Sequence, residues 1–174
     1  MQREPMAAEI IIRPFQREDA ESFYQNVGQD PAFLEMSGLS ENTGLREIRE
    51  YIEQRAALQG REHFYDFAVV SADSGEVIGE INAAYIPKGI ADVGYVIGPA
   101  YRNRGCGEAA LRRLLEILHQ ERISVFYGAC RNDNPASMRV LEKCGMKKTK
   151  VVPASIRRIE GEADLVYFVK AENV

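Results

Sequence analysis

Tyr95-Val96-Ile97-Gly98-Pro99-Ala100-Tyr101-Arg102-Asn103-Arg104-Gly105-Cys106-Gly107-Glu108-Ala109 stands near the middle of the chain. An apolar strand runs into a loop with two arginines and two glycines, and the loop opens into an amphipathic helix. A helix N-terminus presents backbone N–H groups without intrahelical partners and carries the positive end of the helix dipole. Glycines let a ligand's oxygens come close to those groups. Arg102 and Arg104 add formal charge there, so the local chemistry is that of a phosphate or pyrophosphate site.

Outward from this loop, the pattern predicts a helix over 107–121, with Ala110, Leu111, Leu114, Leu115 and Leu118 as its buried stripe. A strand follows over 124–130. Asn134-Pro135 then opens a helix, Asn as N-cap and Pro at its first position, and Gly145 closes it. Strands over 146–152 and 164–170 end the chain, joined by a polar loop. Upstream, a β-branched strand spans 9–14 and a helix 19–27, with Ala20, Phe23, Tyr24 and Val27 at helical spacing. Residues 28–43 read as loop. A helix over 45–59 precedes three strands, 64–70, 76–85 and 91–97, whose short turns make an antiparallel meander. Together these elements predict an α+β fold: a mixed sheet with helices on its faces. All 174 residues fit one domain, with 1–8 as a flexible N-terminal end.

Composition narrows the function classes. The net charge of −4 disfavours nucleic acid as a partner, yet Pro99 to Arg113 holds four arginines and one acid, Glu108. A small basic patch on an acidic protein suits a small anionic ligand. Three cysteines, none in a C-x-x-C pair, and two histidines argue against a disulfide framework and against a metal site. No stretch has the length of a membrane span or of a secretory signal, so a cytoplasmic location is expected.

Two nucleotide fingerprints overlap the loop. Gly105-x-Gly107-x-x-Ala110 matches the dinucleotide pattern, with Asp133 as an acid beyond the next strand. That pattern requires a tight turn directly after the strand; here residues 98–104 intervene, and the strands before it form a meander rather than a βαβ entry. The Walker pattern fails because no Lys-Ser/Thr pair follows Gly107. Arg102-Asn103-Arg104-Gly105-Cys106-Gly107 instead fits R/Q-x-x-G-x-G/A between a strand and a long helix. Further on stands Asn134-Pro135-Ala136-Ser137-Met138-Arg139-Val140-Leu141-Glu142-Lys143-Cys144-Gly145-Met146. The two parts together resemble the GNAT family, the GCN5-related N-acetyltransferases. N-x-x-S-x-x-x-L-E-K-x-G is most similar to the RimJ/RimL branch, which acetylates ribosomal-protein N-termini.

The resemblance implies a mostly antiparallel sheet of about seven strands with about four helices, and a splayed strand pair at the CoA cleft. It implies acetyl-CoA as the donor and no metal. Backbone N–H groups of Arg104, Gly105, Cys106 and Gly107, with Asn103 and Glu108 beside them at the start of the helix, would hold the pyrophosphate. Arg102 or Arg104 would bind its oxygens. Tyr95, Val96 and Ile97 would splay from the next strand at Arg131 and pair with the pantetheine arm, and Asn134 would hydrogen-bond that arm. An N–H near Val96 or Ile97 would polarise the acetyl carbonyl. Arg112 and Arg113 read as solvated positions, one of them within reach of a 3′-phosphate. Cys106 reads as a small loop residue, Cys130 and Cys144 as core.

Many members of the family carry a tyrosine acid where this chain has Leu141, which moves the return of the proton to Ser137. Asp92 and Glu80 are the candidate carboxylates for taking the amine proton; each also reads as a solvated strand-end acid. The acceptor is a primary amine: a peptide or ribosomal-protein N-terminus, a polyamine or a small amine. The loops 28–44 and 153–163, with Glu35, Glu41, Glu160 and Glu162, would line its side of the site. The alternatives are a catalytically silent acyl-CoA-binding module and a Rossmann-type NAD(P) protein. The final strands offer a dimer interface, so monomer and homodimer both stand.

Overall fold

The sequence of α4 explains the centre of the molecule. Cys106–Gln120 (α4) buries Cys106, Ala110, Leu111, Leu114, Leu115 and Leu118 along one stripe. Each fully buried leucine contributes about 1.5–3 kcal/mol relative to exposure. In the computed structural model, which describes residues 9–153 and 163–172, that stripe packs on one face of a seven-stranded sheet. The strands are Ile10–Pro14 (β1), Phe64–Ser71 (β2), Val77–Ile86 (β3), Ile90–Ile97 (β4), Val125–Arg131 (β5), Lys147–Val152 (β6) and Leu165–Ala171 (β7), in the order β1-β2-β3-β4-β5-β7-β6. Every pair is antiparallel except β4 with β5. A parallel pair needs a crossover, and α4 is that crossover.

The opposite face is covered by helices from the first third of the chain. Ala20–Phe23 (α1) runs on into a wide turn over Tyr24–Gly28, and Leu45–Leu58 (α3) lies beside it. Phe23, Phe33, Ile48, Tyr51 and Ile52 pack there against Ala68, Val70, Val77 and Val96 of the sheet. Between α1 and α3 stands Pro31–Ser37 (α2), where the sequence reading expected only loop. Asp30 precedes it, Pro31 occupies its first position, and Gly38 closes it at φ 73°. These residues end and begin helices as well as turns, and here they bound two turns of helix.

The last helix, Pro135–Lys143 (α5), follows its expected punctuation. Asn134 Oδ1 accepts from the Ser137 N–H at 3.1 Å, and the N–H groups of Gly145 and Met146 close the end on Glu142 and Leu141. α5 lies on the α4 side of the sheet, with Leu141 and Met146 in the same core as Leu111. No helix among the described residues is long and apolar enough to cross a membrane. The expected flexible end, 1–8, lies outside the described residues.

Candidate active site

The parallel pair β4–β5 comes apart. Ile90, Ala91, Asp92 and Val93 pair with Val125, Phe126, Tyr127 and Gly128, and from Gly94 onward β4 has no partner on that side. A cavity of about 470 Å³ fills the wedge. Tyr95, Val96 and Ile97 form one wall, the loop and start of α4 the second, and α5 from Asn134 to Lys143 the third, with Ala32 of α2 at the rim. Backbone alternation decides which amides face it. The Gly98 N–H bonds the Ile78 carbonyl of β3 at 2.8 Å, so along an antiparallel strand the Val96 N–H also turns to β3. The N–H groups of Tyr95 and Ile97 turn to the open side. Of the two amides expected to polarise a carbonyl, Ile97 faces the wedge and Val96 faces away.

The loop before α4 is built by unusual backbone. Asn103 at φ 60° and Gly105 at φ 79° are left-handed, and Gly105 is the residue on which the helix starts. The N–H groups of the first turn have no intrahelical acceptor and border the cavity. Gly107 has a packing reason: a Cβ there would stand 3.0 Å from the Tyr95 ring. Cys106, expected as a loop residue, is the first residue of the helix, only 1% exposed, and burial pushes its thiol up.

The charges are arranged differently from expectation. Arg102 lines the cavity, but its guanidinium pairs with the buried Asp30 and donates from Nε to the Ile97 carbonyl at 2.9 Å. Arg104 is not among the lining residues; its guanidinium lies 5.8 Å from the Tyr101 ring centre. Glu108 faces cations, with Arg112 at 2.9 Å and Lys143 at 3.3 Å. The bond from Arg112 holds its carboxyl below the usual range. Arg113 pairs with Glu116 at 3.3 Å.

At the inner end of the cavity the Tyr95 hydroxyl donates to Ser137 Oγ at 3.3 Å. Burial pushes the Tyr95 phenol up to about 12. The sequence reading valued Tyr95 for its backbone and missed its side chain. The available signal was spacing: alternation along β4 puts Tyr95 on the α5 side, with Val93 and Ile97. Leu141 is buried core.

The two candidate carboxylates separate. Asp92 is exposed at the closed end of the wedge, beside Tyr127 on β5, itself 38% exposed. The surrounding sheet pushes its carboxyl up. Alternation sets Asp92 on the face opposite Tyr95. Glu80 neither faces the cleft nor lies at a solvated strand end: it is 0% exposed beneath α3. The Tyr51 hydroxyl donates to both its oxygens at 2.8 Å, and Arg55 Nε lies 3.3 Å away. Arg55 also pairs with Asp66 at 2.9 Å and lies over the Tyr51 ring. Burial and the neighbouring Glu80 push the Asp66 carboxyl up to about 8. On the acceptor side, Glu35 of α2 approaches Arg131 at 3.7 Å. Glu35 and Glu41 line a second pocket, of about 420 Å³, beside α2. Glu160 and Glu162 lie outside the described residues, as does most of the loop 153–163.

Residues 9–147 match the model of the acetyltransferase (GNAT) domain. Over 150 residues the chain is 23% identical to the probable N-acetyltransferase YjcK of Bacillus subtilis, covering 71% of this chain and 83% of that protein. Among solved structures, a GNAT-family acetyltransferase from Bacillus anthracis superposes with a TM-score of 0.78 at 21% identity, over 94% of this chain and 96% of that one. The ribosomal L7/L12 α-N-protein acetyltransferase RimL, solved with coenzyme A, gives 0.76 at 17% identity over 97% and 96%.

Proposed function

The chain belongs to the GNAT acetyltransferase family and is an acetyl-CoA-dependent N-acetyltransferase, and from that premise we propose that it moves the acetyl group directly to a primary amine across the β4–β5 wedge. The observation that carries this is the placement of Tyr95–Ser137 and Asp92 on opposite faces of β4. A donor thioester reaching through the wedge meets the first pair on one side. An amine approaching from the α2–α3 side meets the carboxylate on the other.

Each residue then has a task. The free N–H groups at the start of α4 hold the pyrophosphate, favoured by the helix dipole. Open backbone groups of β4 take the amides of the pantetheine arm as an added strand, and the Asn134 side-chain nitrogen donates to the same arm. The Ile97 N–H polarises the acetyl carbonyl. Asp92 takes the proton that the amine must lose, directly or through one water. The amine nitrogen bonds to the acetyl carbon as the carbon–sulfur bond breaks. The departing thiolate takes the Ser137 proton, the Tyr95 hydroxyl replaces it on Oγ, and the phenolate regains a proton from solvent, which receives the one Asp92 took from the amine. A phenol held near 12 stays protonated across neutral pH and keeps this proton in place.

For the acceptor we infer a peptide N-terminus of the RimJ/RimL kind. Support comes from the N-x-x-S-x-x-x-L-E-K-x-G run and from the likeness to RimL. The sheet face around Asp92, Tyr127 and Ala129 is also open to solvent. A location in the cytoplasm accords with such a substrate. Thiol release from acetyl-CoA, measured against short peptides, polyamines and small amines, tests the proposal. Peptide-dependent release supports it; acetyl-CoA binding with no amine-dependent thiol release would leave a silent acyl-CoA-binding module.

A further inference from the structure

The cavity is lined by three cations, and two of them are committed elsewhere. Arg102 is held by Asp30, and Lys143 by Glu108. Arg139 lines the same cavity with no anionic or hydrogen-bonding partner among the described residues. The two arginines that the sequence offered for a second phosphate, Arg112 and Arg113, are likewise taken by Glu108 and Glu116. Arg139 is exposed and stands on α5, across the cavity from the α4 N-terminus. On α5 the cavity is lined by Ser137, Arg139, Val140 and Lys143.

We infer that Arg139 is the specificity residue for the ribose 3′-phosphate of the donor. The inference rests on the acetyl-CoA reading of the site and deepens it. The donor carries two separate phosphate groups. Backbone amides at the start of α4 suit the pyrophosphate, buried in the loop. The 3′-phosphate hangs from the ribose outside the wedge and needs a side chain able to reach it. A guanidinium offers paired N–H donors that match phosphate oxygens, and this one has no bond to break first among the described residues. The salt bridge of Lys143 to Glu108, by contrast, fixes the mouth of the cavity. Arg139 thereby separates acetyl-CoA from acetyl-3′-dephospho-CoA, two donors that are identical at the reacting thioester.

The test is direct titration of both donors into the wild-type protein and into Arg139→Gln and Arg139→Lys. The wild type is expected to favour acetyl-CoA. Arg139→Gln should weaken acetyl-CoA about tenfold to a hundredfold, the range for one charged hydrogen-bonded contact. Acetyl-3′-dephospho-CoA should bind both proteins alike, and Arg139→Lys should restore part of the preference. Equal weakening of both donors by Arg139→Gln would move Arg139 to the pyrophosphate and overturn the inference. No weakening of either would overturn it too. Failure of the wild type to bind acetyl-CoA would instead bring down the donor reading itself.

Discussion

Tyr95 and Ser137 lie 42 positions apart in the chain, and the tyrosine hydroxyl donates to the serine Oγ at 3.3 Å. The bond joins β4 to α5 across the cavity, where the thiolate would leave. Replacing the phenol tests it without changing the packing. Tyr95→Phe is expected to lower kcat about tenfold or more with little change in KM for acetyl-CoA, and Ser137→Ala to lower it at least as far. If both variants keep full kcat, the proton is returned by another group.

Asp92 gives the opposite limb of the pH profile. Its carboxyl is pushed up by partial desolvation against the sheet, so it loses its proton later than an ordinary aspartate as pH rises. The rate should climb as Asp92 ionises, on a limb lying above the ordinary aspartate range. Asp92→Asn should remove that limb and leave the separate limb of the amine acceptor. A profile unchanged in Asp92→Asn would assign the base elsewhere.

Gly107 and Tyr95 are coupled by contact. A Cβ at Gly107 would stand 3.0 Å from the ring, tighter than ordinary van der Waals distance. Gly107→Ala should displace the ring, raise KM for acetyl-CoA and lower kcat, while thermal stability falls by about 1–3 kcal/mol. Doubling this change with Tyr95→Phe should be less than additive, because both act through one ring position.

The buried cluster under α3 governs stability against pH. Arg55 offers one positive charge to two carboxylates, Asp66 and Glu80, and Asp66 Oδ1 has no hydrogen-bond donor among the described residues. Asp66 therefore holds a proton in the folded protein that it would release on unfolding. The native state binds more protons between 3.8 and about 8, so stability falls as pH rises through that window. Asp66→Asn should flatten the fall in Tm over the same range. A Tm that rises with pH from 5 to about 8 would contradict the assignment.

Much of this architecture was legible in the sequence because its signals are periodic. The leucines of α4 and the punctuation of α5 by Asn134, Pro135 and Gly145 carry their own geometry. The same punctuation, Pro31 and Gly38, bounds α2, but two turns of helix hold too few apolar repeats to show a period, so the sequence pattern predicts loop there. The set around the cavity was legible from the loop and from α5, since both are contiguous motifs. Arg139 and the Tyr95 side chain became visible only once their neighbours' partners were known. Glu80 misled for the same reason: what surrounds a strand carboxylate, here Tyr51 and Arg55 of α3, is a matter of helix packing and leaves no local trace.

The most direct measurement is a crystal structure with coenzyme A. Transfer across the wedge puts the pyrophosphate on the N–H groups at the start of α4, the arm between β4 and β5, and the sulfur within about 4 Å of Ser137 Oγ or the Tyr95 hydroxyl. A ligand bound outside the wedge, or a sulfur remote from both hydroxyls, would contradict it.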